Sequence, residues 1–143
     1  MADKTKAIAK ILIREGYIIG RSVGYVNRKI DTGKETIAGV SRKWWPNWDG
    51  WEIIDAAKNK PNFPDSLISN TRLFDLLFDF YTVNYWNIIQ GDKITDQGTA
   101  ERLLDGTILE GSHPAIEREE ATFHLPLTGK MSDELINRLN QLI

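Results

Sequence analysis

The stretch from Arg14 to Val40 limits what this chain can fold into more than any other part of it. It carries five glycines, one acid (Glu15) where an apolar run stops, and then a polar segment holding Asp31, Thr32 and Thr36. A buried helix cannot tolerate this, because each interior glycine weakens a helix by roughly 1 kcal/mol relative to alanine. Gly, Asn, Asp and Thr together favour turns, and loops of this kind run over the surface, where a rigid scaffold can aim their side chains at a ligand. Irregular or short extended structure is expected here, with no large sheet.

The remainder of the chain must supply that scaffold, and its pattern is helical. Asp3 can cap a helix in which Ala7, Ile8, Ile11 and Leu12 recur at helical spacing, with Gly16 placed to end it. The run S-R-K-W-W-P-N-W-D-G-W-E-I-I-D from Ser41 packs four of the five tryptophans into eight positions. Within it, Asp49 and Glu52 approximate a capping box, which predicts a helix from about Gly50 to Asn59, closed by Pro61 and Pro64. Ser69 or Asn70 can cap the longest helix, whose apolar face is Leu73, Leu77, Phe80, Tyr81, Asn84, Tyr85 and Ile88. Thr95 or Asp96 caps a helix carrying Ala100, Leu103, Leu104 and Ile108, and Ser112 with Pro114 opens another. Its E-R-E-E run at 117–120 reads as a solvated face, and L-P-L-T-G-K as a tight turn. Ser132 caps the last helix, with Leu135, Ile136, Leu139 and Leu142 inward. The expected class is all-α, with about six helices and an irregular Gly-rich loop after the first.

Composition narrows the chemistry. At 143 residues the chain can bury roughly two-thirds of its unfolded surface, so a real core is expected. Its net charge of -2 gives no general affinity for nucleic acid. With no cysteine and two distant histidines, a thiolate or histidine metal site is not expected, and no cofactor is implied. The apolar run Ile11-Leu12-Ile13 is short and broken by Lys10 and Arg14, which predicts no signal peptide, no membrane insertion and synthesis in the cytoplasm.

The order R-E-G, G-Y-V-N, D-T-G-K-E-T-I-A-G-V, W-P-N-W-D-G-W-E-I-I-D and F-Y-T-V-N-Y-W-N-I-I-Q-G-D resembles glycoside hydrolase family 108, bacterial and phage lysozymes some of which are labelled secretion activator proteins. The later L-L-D-G-T-I-L-E-G and E-E-A-T-F-H-L-P-L-T-G-K-M-S-D-E-L-I are similar to the small peptidoglycan-binding region that follows in that family. The resemblance implies a lysozyme-like catalytic region at 1–92 and a small helical wall-binding region at 93–143, packed on it as one compact unit. It also implies an N-acetylmuramidase that cuts the β-1,4 bond between N-acetylmuramic acid and N-acetylglucosamine. Such an enzyme acts as a monomer on glycan strands at the bacterial wall, once released or exported.

The family's usual opening is Glu-Gly-Gly-Tyr-Val-Asn followed by an Asp-x-Gly-Gly-Glu-Thr turn, and its glutamate is the proposed catalytic acid. Two placements fit this chain. Holding Gly24-Tyr25-Val26-Asn27 fixed puts Ser22 at the acid's position; matching Arg14-Glu15-Gly16 to the end of the first helix makes Glu15 the acid and Tyr17–Val23 an insertion. The second is favoured by the length and apolar pattern of the preceding helix. Glycosidic cleavage needs a proton for the leaving oxygen and stabilisation of an oxocarbenium-like centre, so a carboxyl pair suits it. Glu15 would be the acid, Asp31 the second carboxylate and Thr36 the group orienting a water, similar to the Glu, Asp, Thr order of bacteriophage lysozymes. Tyr25, Asn27, Trp45 and Trp48 are the expected substrate-binding residues. Most of the five tryptophans are nevertheless expected in the core. Lys34 stands where the family has its second turn glycine, and that departure, with the insertion, keeps open an alternative: a wall-binding or structural module that retained the fold and lost the catalyst.

Overall fold

The computed structural model describes residues 1–27 and 35–141. Six α-helices run α1 Lys4–Arg14, α2 Gly50–Lys58, α3 Thr71–Tyr81, α4 Gln97–Glu110, α5 Ser112–Thr122 and α6 Asp133–Asn140. Five short strands lie between α1 and α2: β1 Tyr17–Ile18, β2 Ser22–Val23, β3 Tyr25–Asn27, β4 Glu35–Ile37 and β5 Val40–Ser41. They form two small antiparallel sheets, β1-β2 and β3-β4-β5. The all-α expectation is therefore corrected to mostly helical, with 56% of the described residues in helix. In the described part of the Gly-rich excursion strand pairing orders the backbone: Gly20 and Gly39 fall at turns, while Val23, Ile37 and Val40 point inward. Among the described residues, no helix is long and apolar enough to cross a membrane.

The chain forms two compact units, one of Ala9–Asp79 and one of Met1–Ile8 with Phe80–Ile143. In the first, Ile11, Leu12, Tyr17, Val23, Ile37, Val40, Trp51, Ile54, Leu73 and Leu77 are buried. In the second, Trp86, Ile89, Ile94, Leu103, Leu104, Ile116, Leu135 and Leu139 are buried.

Helix boundaries follow the local chemistry. Asp3 Oδ1 accepts from Lys6 N at 3.1 Å, Asn70 Oδ1 from Leu73 N at 2.9 Å, Asp96 Oδ2 from Thr99 N at 2.8 Å and Ser132 Oγ from Leu135 N at 3.1 Å. Each satisfies a donor left over in a first helical turn. Asp49 makes no such bond: its backbone is helical (φ −61°, ψ −23°) because turns at Trp45 and Trp48 lead directly into α2, and a capping side chain needs the extended backbone. Helix α3 also departs from a single period. After Tyr81 it widens into a π turn over Thr82–Trp86, which rotates the following face, so Ile89 is buried and Ile88 is 46% exposed.

The E-R-E-E segment is not a solvated face. Glu119 is buried and paired with Arg102, and Glu120 accepts from Thr128 N, Thr128 Oγ1 and Gly129 N at 2.7–2.9 Å. One carboxylate thus anchors the turn that follows α5, a role a period-based reading of charges does not reveal.

Candidate active site at the end of the first helix

Glu15 continues the helical turn beyond α1, its N–H donating to Ile11 O at 2.9 Å, and Gly16 then takes φ +91° and ends the helix. The chain leaves at once into the β1-β2 hairpin, where Tyr17 pairs with Val23 and Ile18 with Ser22. It comes back to where it left. A side chain on Gly24 (φ +67°) would put its Cβ 2.7 Å from Glu15 O and 3.0 Å from Gly16 C; one on Gly16 would stand 3.2 Å from Gly24 Cα. The two glycines therefore pack backbone against backbone, which side chains would prevent. Glu15-Gly16 and Gly24-Tyr25 lie side by side, separated in sequence by a self-contained excursion.

The Glu15 side chain is 29% exposed, with Arg14 Nε 3.6 Å from its Oε1. Tyr25 and Asn27 are on β3, opposite Ile37 and Glu35 of β4. Thr36 pairs with Val26 and Ser41, which sets it on the other face of this sheet from Tyr25 and Asn27. Trp45 and Trp48 are half-buried in the loop before α2, where Trp51 Nε1 donates to Trp45 O at 2.8 Å and the Trp48 ring lies over Gly50, edge-on to Trp51. Of the five tryptophans, Trp51 and Trp86 are in the core and Trp44 is 72% exposed. Asp31 and Lys34 lie outside the described residues.

The most developed polar cluster was not anticipated from the sequence. Glu35 is 6% exposed and accepts from Tyr25 Oη at 2.6 Å and Arg42 Nη1 at 2.5 Å, with Lys58 Nζ at 2.7 Å. Arg42 in turn holds Asp55 through two bonds of 2.8 and 2.7 Å and lies 5.0 Å over the Trp51 ring. Burial alone would push the Glu35 carboxyl up, but bonds from Lys58, Tyr25 and Arg42 outweigh it and hold the group below its ordinary value. Its bond with Arg42 holds Asp55 down at about 2. Burial, then the neighbouring Glu35, push the Tyr25 hydroxyl up to about 12. Glu35 is thus a fixed anion that ties β3 and β4 to α2, and the Tyr25 hydroxyl is committed to it. The signal was present: Glu35 and Ile37 flank Thr36 at strand spacing, so a buried Ile37 brings Glu35 to the same face. A carboxylate there requires cations.

Among the described residues, no three His, Asp or Glu side chains are grouped as a metal would need. The chemistry on offer is that of a carboxyl beside a small sheet at a helix end.

None of the curated proteins matches this chain. The solved structure of Brucella abortus SagA superposes on it with a TM-score of 0.61 at 20% identity, covering 98% of this chain and 70% of that one, which shows a shared fold. The Glycosyl hydrolase 108 family model matches residues 8–111. That match runs from within α1 through both sheets, α2, α3 and α4, and the protein belongs to the glycosyl hydrolase 108 family.

Proposed function

We propose that this protein is a peptidoglycan hydrolase that cuts the β-1,4 bond after N-acetylmuramic acid, with Glu15 as general acid and without a cofactor. The observation that carries the assignment of Glu15 is the return of the chain at Gly24. With the hairpin 17–23 set aside, Glu15, Gly16, Gly24 and Tyr25 run together as Glu-Gly-Gly-Tyr, the family's opening, and the backbone contact between Gly16 and Gly24 supports reading them as one interrupted motif. Ser22, the other candidate for the acid's position, has its Oγ accepting from Gly24 N at 3.1 Å, as a turn residue does.

In this reading Glu15 protonates the leaving oxygen, Asp31 supplies the second carboxylate and Thr36 orients water. Trp45 and Trp48 line the approach of the strand, Tyr25 and Asn27 contribute from the face of the sheet opposite to that of Thr36, and 93–143 adds contacts to the wall.

One observation favours the alternative of a wall-binding module without catalysis: Arg14 Nε stands 3.6 Å from Glu15 Oε1, a cation beside the carboxyl that the reaction needs as an acid. The products decide between the two. Purified peptidoglycan is digested, reduced and separated. The enzyme yields fragments ending in reduced N-acetylmuramic acid; the binding module co-sediments with the wall and leaves it intact.

A further inference from the structure

The inserted hairpin builds a surface that the proposed chemistry does not use. Arg21 N donates to Ile18 O at 2.9 Å, closing a tight turn with Ile19 and Gly20 at its tip. Ile19 is 81% exposed, Ile18 43%, and Ile13 on the last turn of α1 61%. These three are contiguous: together with Ala9, Tyr17 and Phe74 they line an open cavity of about 270 Å³. Tyr17, Ile19 and Phe74 continue into a second of about 290 Å³ that reaches Ser69, Thr71 and Asp75. Single exposed apolar residues are ordinary; three isoleucines joined over open cavities mark an interaction surface.

Cations border its α1 and hairpin side, although the chain as a whole carries -2. Lys10 lies three residues before Ile13 on α1 and Arg14 one residue after it, and Arg21 closes the hairpin turn. Among the described residues, Asp75 lines the second cavity and Glu15 stands beside Arg14. Glu15 keeps the helical bond to Ile11, so at 3.6 residues per turn it projects from nearly the opposite side of α1 to Ile13.

We propose that this face docks on an anionic lipid bilayer, with the Ile18–Ile19 tip entering the headgroup boundary and Lys10, Arg14 and Arg21 meeting lipid phosphates. Aliphatic tips beside cations are the chemistry of a peripheral membrane contact, and such a contact requires no spanning helix. A glycan strand is the poorer occupant, because sugar rings stack on aromatic faces and this tip is aliphatic. A second copy is also poorer, because a two-fold contact would set the same cations against each other.

The test uses the full chain and sedimenting vesicles of phosphatidylcholine, with and without phosphatidylglycerol, and circular dichroism to confirm that each variant is folded. The wild type is expected to sediment with the phosphatidylglycerol vesicles at low salt and to release at high salt. Ile19→Ser is expected to lower partitioning about tenfold, the worth of one isoleucine withdrawn from an apolar environment, and Arg21→Glu to lower it as well. Failure to sediment, equal sedimentation with pure phosphatidylcholine, or unchanged partitioning of Ile19→Ser would each overturn the proposal. Self-association in analytical ultracentrifugation that Ile19→Ser abolishes would overturn it too, in favour of a second copy.

Discussion

Replacing Glu35 by Gln removes one charge from the cluster that ties β3 and β4 to α2 while keeping its size. Taking one partner from a buried ion pair typically costs about 3–5 kcal/mol. Here the cations keep some water, with Arg42 27% and Lys58 34% exposed, and Arg42 retains both bonds to Asp55. The expected loss is therefore about 2–3 kcal/mol, or roughly 6–12 °C in melting temperature for a chain of this size. The pH dependence follows from the direction of the shift. The Glu35 carboxyl is held below its ordinary value of 4.5 in the folded state, so its stabilisation is present above 4.5 and is lost as pH falls through the lower folded value. Circular dichroism melts of wild type and Glu35→Gln should differ most near neutral pH and converge in acid. Equal melting near neutrality, or a gap that persists undiminished in acid, would refute the reasoning.

Two other substitutions probe separate parts of the account. Gly24→Ala forces a Cβ to within 2.7 Å of the Glu15 carbonyl in a left-handed backbone; it should destabilise by about 2 kcal/mol or more and reduce wall clearing per folded molecule, measured as turbidity loss against the folded fraction. Glu120→Ala leaves Thr128 N and Gly129 N without their acceptor, which should cost about 2–3 kcal/mol and speed hydrogen exchange at those two amides.

Much of the helical scaffold was legible because it rests on local rules. Ala7, Ile8, Ile11 and Leu12 are buried as their spacing requires, and Asp3, Asp96 and Ser132 cap where their residue types suggest. What escaped depends on contacts distant in sequence or on backbone shape. Asp49 has the composition of a cap and the wrong backbone for one; the π turn at Thr82–Trp86 exchanges Ile88 for Ile89 without any sequence punctuation. Glu35 and Glu120 read as ordinary polar residues until strand pairing brings Tyr25 and Arg42 to one, and the turn after α5 brings Thr128 and Gly129 to the other. The interrupted Glu-Gly-Gly-Tyr is a middle case. Its pieces were visible in the sequence, where the pattern of the preceding helix favoured joining them, and the packing of Gly16 on Gly24 adds support that no sequence pattern could give.

The central claim, that Glu15 is the proton donor of a wall hydrolase, is tested most directly by release of reducing ends from purified peptidoglycan by wild type and Glu15→Gln at matched folded fraction. Glu15 is at the surface end of α1 and 29% exposed, so the substitution should leave the melting temperature nearly unchanged while abolishing release. Release by the variant at the wild-type rate would contradict the assignment, and release by neither protein would point to the wall-binding module.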